Sequence, residues 1–289
     1  MTKISLREYN REIDHFIEGG QIDEAIAHCR YVLEQYPKHV ETYRLLGKAY
    51  LEDHRYGDAA DILQRVLACT PDDFIANLGM SLIREDEGNL EGAIWHMERA
   101  FELQPANAAI QNELRRLYGR RDGTTPPKVH LTRGALARMS AKSHLYNQAI
   151  TELRAILAET PNRYDLQVLL ARLYLQTNQR NAAVDAASTL LSKVPNCLEA
   201  NRILAEVLPG TERAGEAQTY RERLAALDPY YGHVSPASPA SEQVPDSAVT
   251  LEKLDYTGTP VAGPEDQPAW AASLGVAVAE SSPSDQALP

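Results

Sequence analysis

The sequence predicts an all-α fold of stacked helical hairpins followed by a disordered tail. Three observations carry this. Pro37, Pro71 and Pro105 recur at one constant interval, and Pro161, Pro195 and Pro229 repeat the same interval. Twelve residues before each of these prolines stands an alanine: Ala25, Ala59, Ala93, Ala149, Ala183 and Ala217. After Tyr231 the composition turns to proline, serine, alanine and acid.

Each proline marks a joint, because proline ends one helix and is tolerated at the first turn of the next. The alanine column marks close approach of two helices, where a methyl group lets backbones near one another. Five residues before each proline stand Val32, Val66, Ala100, Ile156, Leu190 and Leu224, an apolar column. Twenty-four residues before each stand Ile13, Gly47, Ser81, Ala137, Ala171 and Ala205, mostly small. Turn-forming segments such as EGGQID, DEGNLE and QTNQRN separate the two helices of a unit. In LQRVLACTPDDF, residues 63–74, Thr70-Pro71 is a joint and the two aspartates are caps for the helix starting near Phe74.

A small residue at position 8, an aromatic at 11, alanine at 20 and proline at 32 of a 34-residue unit resembles the tetratricopeptide repeat. The second unit fits best, with Tyr43, Leu46, Gly47, Tyr50, Ala59 and Pro71. The family's frequent tryptophan at position 4 is absent, and position 11 is Arg84 in the third unit and Ser140 in the fourth. The resemblance implies a right-handed α-α superhelix and a protein-binding role.

The interval from Pro105 to Pro161 breaks the period, exceeding one unit by the length of a helix and a short linker. The sequence therefore divides into an N-terminal array over 1–119, with repeats at 6–39, 40–73 and 74–107 and a cap helix at 108–119. A linker follows at 120–129, then a second array with repeats at 130–163, 164–197 and 198–231. An unpaired helix suits the open end of an array, where it covers an apolar face. Stacking of the arrays and a hinge at 120–129 both stay open; Leu114, Leu117 and Tyr118 offer the cap a second apolar side and favour stacking.

Residues 232–289 hold eight of the 17 prolines, eight acidic residues and one lysine. Such a chain buries too little apolar area to offset its ordering entropy, so disorder is expected. Within it, QPAWAASLGV (267–276) places Trp270 and Leu274 on one side of a short helical turn. That segment is either a transient turn without function or a docking motif that folds into a groove, and VTLEKLDY (249–256) is a second candidate.

The 289 residues carry a net charge of −11, the wrong sign for general nucleic-acid binding. No apolar run is long enough to span a bilayer, so no membrane insertion and a cytoplasmic location are expected. Cys29, Cys69 and Cys197 have neither zinc nor disulfide spacing, and no phosphate loop or nucleophile elbow occurs. The expectation is a non-enzymatic chain without cofactor or metal, in which Cys29 and Cys69 are packing or neutral residues.

By the resemblance, positions 2, 5, 9, 12 and 13 of each unit face a concave groove. Carried over, they nominate Arg44, Lys48, Arg138, Arg172 and Arg202, with Arg116 at the equivalent place on the cap helix. One reading makes this basic row a groove for an acidic peptide, with the acidic tail as a competitor in cis. The other makes it solvated surface with intramolecular partners such as Glu41 and Glu199. The family's clamp for chaperone C-termini is disfavoured, since its lysine and asparagine positions hold Asn10 and Asp14. A scaffold or adaptor is the leading function; an accessory subunit of a bacterial secretion, pilus or envelope-polysaccharide system is the alternative.

Overall fold

The computed structural model describes residues 3–258 apart from Pro236. A short strand β1 (Lys3–Ser5) leads into thirteen α-helices among the described residues. The first array comprises α1 (Leu6–Glu18), α2 (Ile22–Gln35), α3 (Val40–Glu52), α4 (Tyr56–Cys69), α5 (Phe74–Asp86) and α6 (Leu90–Leu103), with α7 (Ala108–Asp122) unpaired after it. The second comprises α8 (Arg133–Lys142), α9 (Tyr146–Glu159), α10 (Tyr164–Gln176), α11 (Arg180–Leu191), α12 (Leu198–Val207) and α13 (Ala217–Leu227). Strand β2 (Thr250–Glu252) pairs antiparallel with β1, Ile4 opposite Leu251.

The repeat is visible in the local chemistry. All six column alanines are buried. The fifteenth residue of the first five units turns the chain in the left-handed region: Gly20, His54, Gly88, His144 and Asn178, with φ between 57° and 76°. At the joints, Asp73 caps α5 by accepting from the Ala76 amide at 2.7 Å. The missing position-4 tryptophan is replaced by a hydrogen-bond donor. Tyr43, Asn77, Gln111, Gln167 and Asn201 each donate to the carbonyl of the proline six residues earlier, at 2.6–3.4 Å. That bond satisfies a carbonyl that the broken helix leaves open.

The arrays do not continue as one straight stack. Leu114 and Leu117 of α7 are buried against α6 in a cluster with Met97 and Phe101. The next helix, α8, packs on α6, α9 and α10. Gly134 makes this approach possible: a Cβ there would lie 2.3 Å from the Glu102 carboxylate of α6. The chain then folds back, so that first helices of the second array face joints of the first. Lys142 reaches the Leu103 carbonyl at 3.4 Å, and Arg172 lies 3.9 Å from Asp72. Leu198 packs into the core of the first array, as do Leu227 and Tyr230.

The tail boundary is corrected. Composition assigns 232–289 to a disordered segment, whereas the structure packs most of its described part, 232–258, onto the N-terminal hairpin. Val244, Val249 and Leu251 are buried with Ile4, Leu6 and Tyr9. The reason is the open apolar edge of the first repeat, which supplies burial that the segment's own composition lacks. Arg7 rivets it, donating to the Ser241 carbonyl at 2.5 Å, the Val244 carbonyl at 2.8 Å and Asp246 at 3.1 Å. Its guanidinium also stacks 3.7 Å above the Tyr230 ring. Lys253 pairs with Glu12 at 2.6 Å, and the Leu254 amide donates to the Tyr9 hydroxyl at 3.0 Å. The VTLEKLDY segment is thus docked, on α1 rather than in a groove. Trp270 and Leu274 lie outside the described residues.

Candidate partner-binding clefts

Two clefts are lined in part by residues at the positions the resemblance nominates. The first opens where the chain's second array meets its beginning. Arg7, Asn10, Arg11 and Asp14 of α1, Glu41 and Arg44 of α3, and Leu198, Leu227, Asp228 and Tyr230 from the second array surround about 530 Å³. Its floor is preorganised. His39, whose pKa burial lowers to about 3, is held neutral. The Thr42 hydroxyl donates to Asn10 Oδ1 at 3.0 Å and so accepts from His39 Nδ1–H at 2.8 Å. Acids and bases mix around this rim, so it favours neither sign of ligand.

The second cleft lies between the arrays and holds about 330 Å³. Arg138 and Lys142 of α8, Arg172 of α10 and His144 in the α8–α9 turn supply its polar wall. Leu103, Tyr146, Leu169 and Leu173 supply its apolar floor, and Asp72 is its one carboxylate. Burial raises the Asp72 pKa, which the Arg172 and Arg138 charges oppose.

Arg138 and Arg172 therefore come together, while the other nominated cations do not join them. Arg138 is buried and binds Asp165 at 2.8 Å. Arg172 is 37% exposed and donates to Glu199 at 3.0 Å. Arg202 binds the same Glu199 at 2.8 Å and Glu206 at 2.8 Å. Arg44 is engaged by Glu41, one turn earlier on α3, at 3.0 Å. Lys48 meets Asp14 at 2.7 Å. Arg116 sits apart on α7, held by Glu113 and Glu85. Each of the six has an intramolecular carboxylate, Glu41 and Glu199 among them.

Sequence reasoning passed over Lys142, His144 and Tyr146. Lys142 had a signal, since it stands at position 13, a groove-facing place by the resemblance. His144 had none, because the meeting of the arrays that brings its turn to the cleft is not periodic. Cys29, Cys69 and Cys197 are buried free thiols, and burial raises the pKa of Cys69 and of Cys197 to about 12. They are therefore packing residues at ordinary pH.

Paired antiparallel helices stacked at a constant interval make an α-solenoid, whose working surface is the concave side. The family model for the tetratricopeptide repeat matches residues 16–78 and 141–207. The two matched stretches are tetratricopeptide repeats, as the repeat columns imply. No curated protein matches it. Among solved structures it is similar to the APC/C hetero-tetramer Cut9-Hcn1, at 17% identity and a TM-score of 0.35, covering 78% of this chain and 46% of that one. The chain thus spans less than half the length of that neighbour. It is also similar to the MamA protein, at 17% identity and a TM-score of 0.30, covering 76% of this chain and 89% of that one. For pilF of Pseudomonas aeruginosa the identity is 14% and the TM-score 0.31, covering 77% of this chain and 91% of that one. None of these likenesses bears on function at such scores. Among the described residues, no helix is long and apolar enough to cross a membrane.

Proposed function

We propose that this chain is a non-enzymatic, cytoplasmic scaffold that captures a protein partner through an acidic segment seated between its two repeat arrays. Tetratricopeptide repeats serve protein–protein interaction generally, and a solenoid offers extended surface because each unit contacts only its neighbours. The observation that carries the acidic preference is the inter-array cleft. Arg138, Lys142 and Arg172 share its wall with the single carboxylate of Asp72 above an apolar floor. Charge-assisted hydrogen bonds from Arg172 and Lys142 would hold carboxylates, while Tyr146 and Leu173 would take an adjoining apolar side chain. The acidic residues beyond Gly258 are the competing ligand in cis. The role in a bacterial assembly system draws on family resemblance alone and stands behind this reading.

The test is an affinity capture with the full chain and with a chain ending at Gly258, followed by mass spectrometry. Ending at 231 instead would strip the cap from α1 and confound the result. Partners should be enriched by the shorter chain and lost on Arg172→Gln in either background. Capture unaffected by Arg172→Gln and by Lys142→Glu would overturn the acidic-segment reading.

A further inference from the structure

Positions 7 and 10 of each unit face the preceding hairpin. In α3, α5, α10 and α12 they hold Leu46 and Ala49, Met80 and Ile83, Leu170 and Leu173, Leu204 and Val207, all buried. In α1, which opens the first array, they are Glu12 and His15. Helix α8 opens the second array, yet it carries Leu136 and Met139, which are 46% and 43% exposed. An apolar pair at packing positions on an open end is a face awaiting a cover.

The other open end shows what covers such a face. The segment after the last repeat lies on α1 and touches position 7 there, through Lys253 and Glu12 at 2.6 Å. Beyond Gly258 the chain continues to Pro289, with four acidic side chains and no lysine or arginine. Residues 123–145, which lead into and include α8, have the opposite balance, four lysines or arginines and no acidic side chain. Trp270 and Leu274 are an i,i+4 apolar pair, the spacing that meets one side of a helix. The stretch from Gly258 to Trp270 spans up to about 40 Å, comparable to the width of a folded chain of this size.

We propose that residues 267–276 seat Trp270 and Leu274 on the Leu136–Met139 face of α8, so that one C-terminal segment caps both arrays in cis. Tethering gives this contact a high effective concentration, which favours the chain's own segment over a second copy.

The chain has two tryptophans, so Trp95→Phe makes Trp270 the sole reporter. In that variant Trp270 should emit at shorter wavelength, and resist acrylamide quenching more, than in a synthetic 267–276 peptide. Adding Leu136→Glu and Met139→Glu should move its emission to that of the free peptide. Both sites are exposed, and an unchanged urea midpoint checks that the array stays folded. Leu274→Ser, which leaves the array untouched, should give the same shift. Trp270 as quenchable in the intact chain as in the peptide would overturn the proposal, as would emission indifferent to the α8 substitutions. Shielding that disappears on dilution, with a dimer in sedimentation, would assign the face to a second copy instead.

Discussion

Arg163, at the joint before α10, donates to the Glu102 carboxylate of α6 at 2.5 Å, across the break between the two arrays. Glu102 is 1% exposed and also accepts from the Thr132 hydroxyl at 2.8 Å. Arg163 binds Asp165 at 2.9 Å as well, and Asp165 binds Arg138 at 2.8 Å. Arg99 lies 3.7 Å from Glu102 on the other side. Two carboxylates and three guanidiniums thus lock the second array to the first.

Removing Glu102 leaves two buried cations, Arg99 and Arg138, and the nearly buried Arg163 without their shared partner. Glu102→Ala is expected to destabilise the chain by about 3–5 kcal/mol, the usual cost of breaking a buried pair from one side. Because the lock joins the arrays, urea denaturation followed by circular dichroism should change from one transition to two. A single transition at an unshifted midpoint would contradict the lock.

The groove cations separate by the same logic. Arg138→Glu sets a carboxylate beside Asp165 and Glu102, so it should destabilise by several kcal/mol and report on folding rather than binding. Arg172→Gln gives up the contacts of a more exposed cation with Glu199 at 3.0 Å and Asp72 at 3.9 Å without setting a new carboxylate beside them, a loss of about 0–1 kcal/mol. Anisotropy of a labelled acidic peptide should therefore drop for Arg172→Gln at a nearly unchanged melting temperature.

The C-terminal cap hinges on Arg7. Arg7→Ala removes three hydrogen bonds and a ring stack, an expected loss of about 2–4 kcal/mol from the docking of 241–256. Limited proteolysis should then cut between 234 and 250 in the variant well before it cuts the parent chain. Equal cutting rates would show that the strand pair and Leu251 hold the segment without it.

Stability should decline with acid in two stages. His39 and His96 have pKa values lowered by burial to about 3, so the unfolded chain takes up protons first as pH falls below about 6.5. Asp165 follows: burial raises its pKa, but the bond from Arg163 and the surrounding guanidiniums bring it down to about 2. Its contribution, about 2 kcal/mol, is present above pH 4 and is lost as pH falls from about 4 to 2. Melting temperature against pH should show both stages, and Asp165→Asn should remove the second.

Leu63 is the wedge of the second repeat. A Cβ at Gly47 would lie 2.5 Å from one Leu63 methyl, and one at Gly79 would lie 2.6 Å from the other. Gly47→Ala is expected to cost about 1–3 kcal/mol through overpacking, despite alanine's better helix propensity. A thermal melt decides the sign.

The repeat itself was legible, because packing in a solenoid is local. Each alanine and proline answers a neighbour within the same or the next unit, so the chemistry recurs at a fixed interval. Even the absent tryptophan had a readable substitute, since Tyr43, Asn77, Gln111, Gln167 and Asn201 occupy one column. The candidate site was half legible. The position rule found Arg138 and Arg172, but nothing in the sequence said that Asp165 would hold one in a buried pair while the other stays more exposed beside it in the cleft. The cap was misread for the same reason. Val244, Val249 and Leu251 look too sparse to fold, and they are ordered only because α1, at the far end of the sequence, presents an apolar edge to them.

The sequence by itself determined the unit, its number and its break, through interactions between residues at most one period apart. Only the tertiary structure decided how the arrays meet. That choice rests on long-range contacts, Glu102 with Arg163, Asp72 with Arg172 and Arg7 with Asp246, whose partners share no period. Their energy comes from mutual burial and neutralisation, which exist once the chain has folded back and leave no mark on either segment alone.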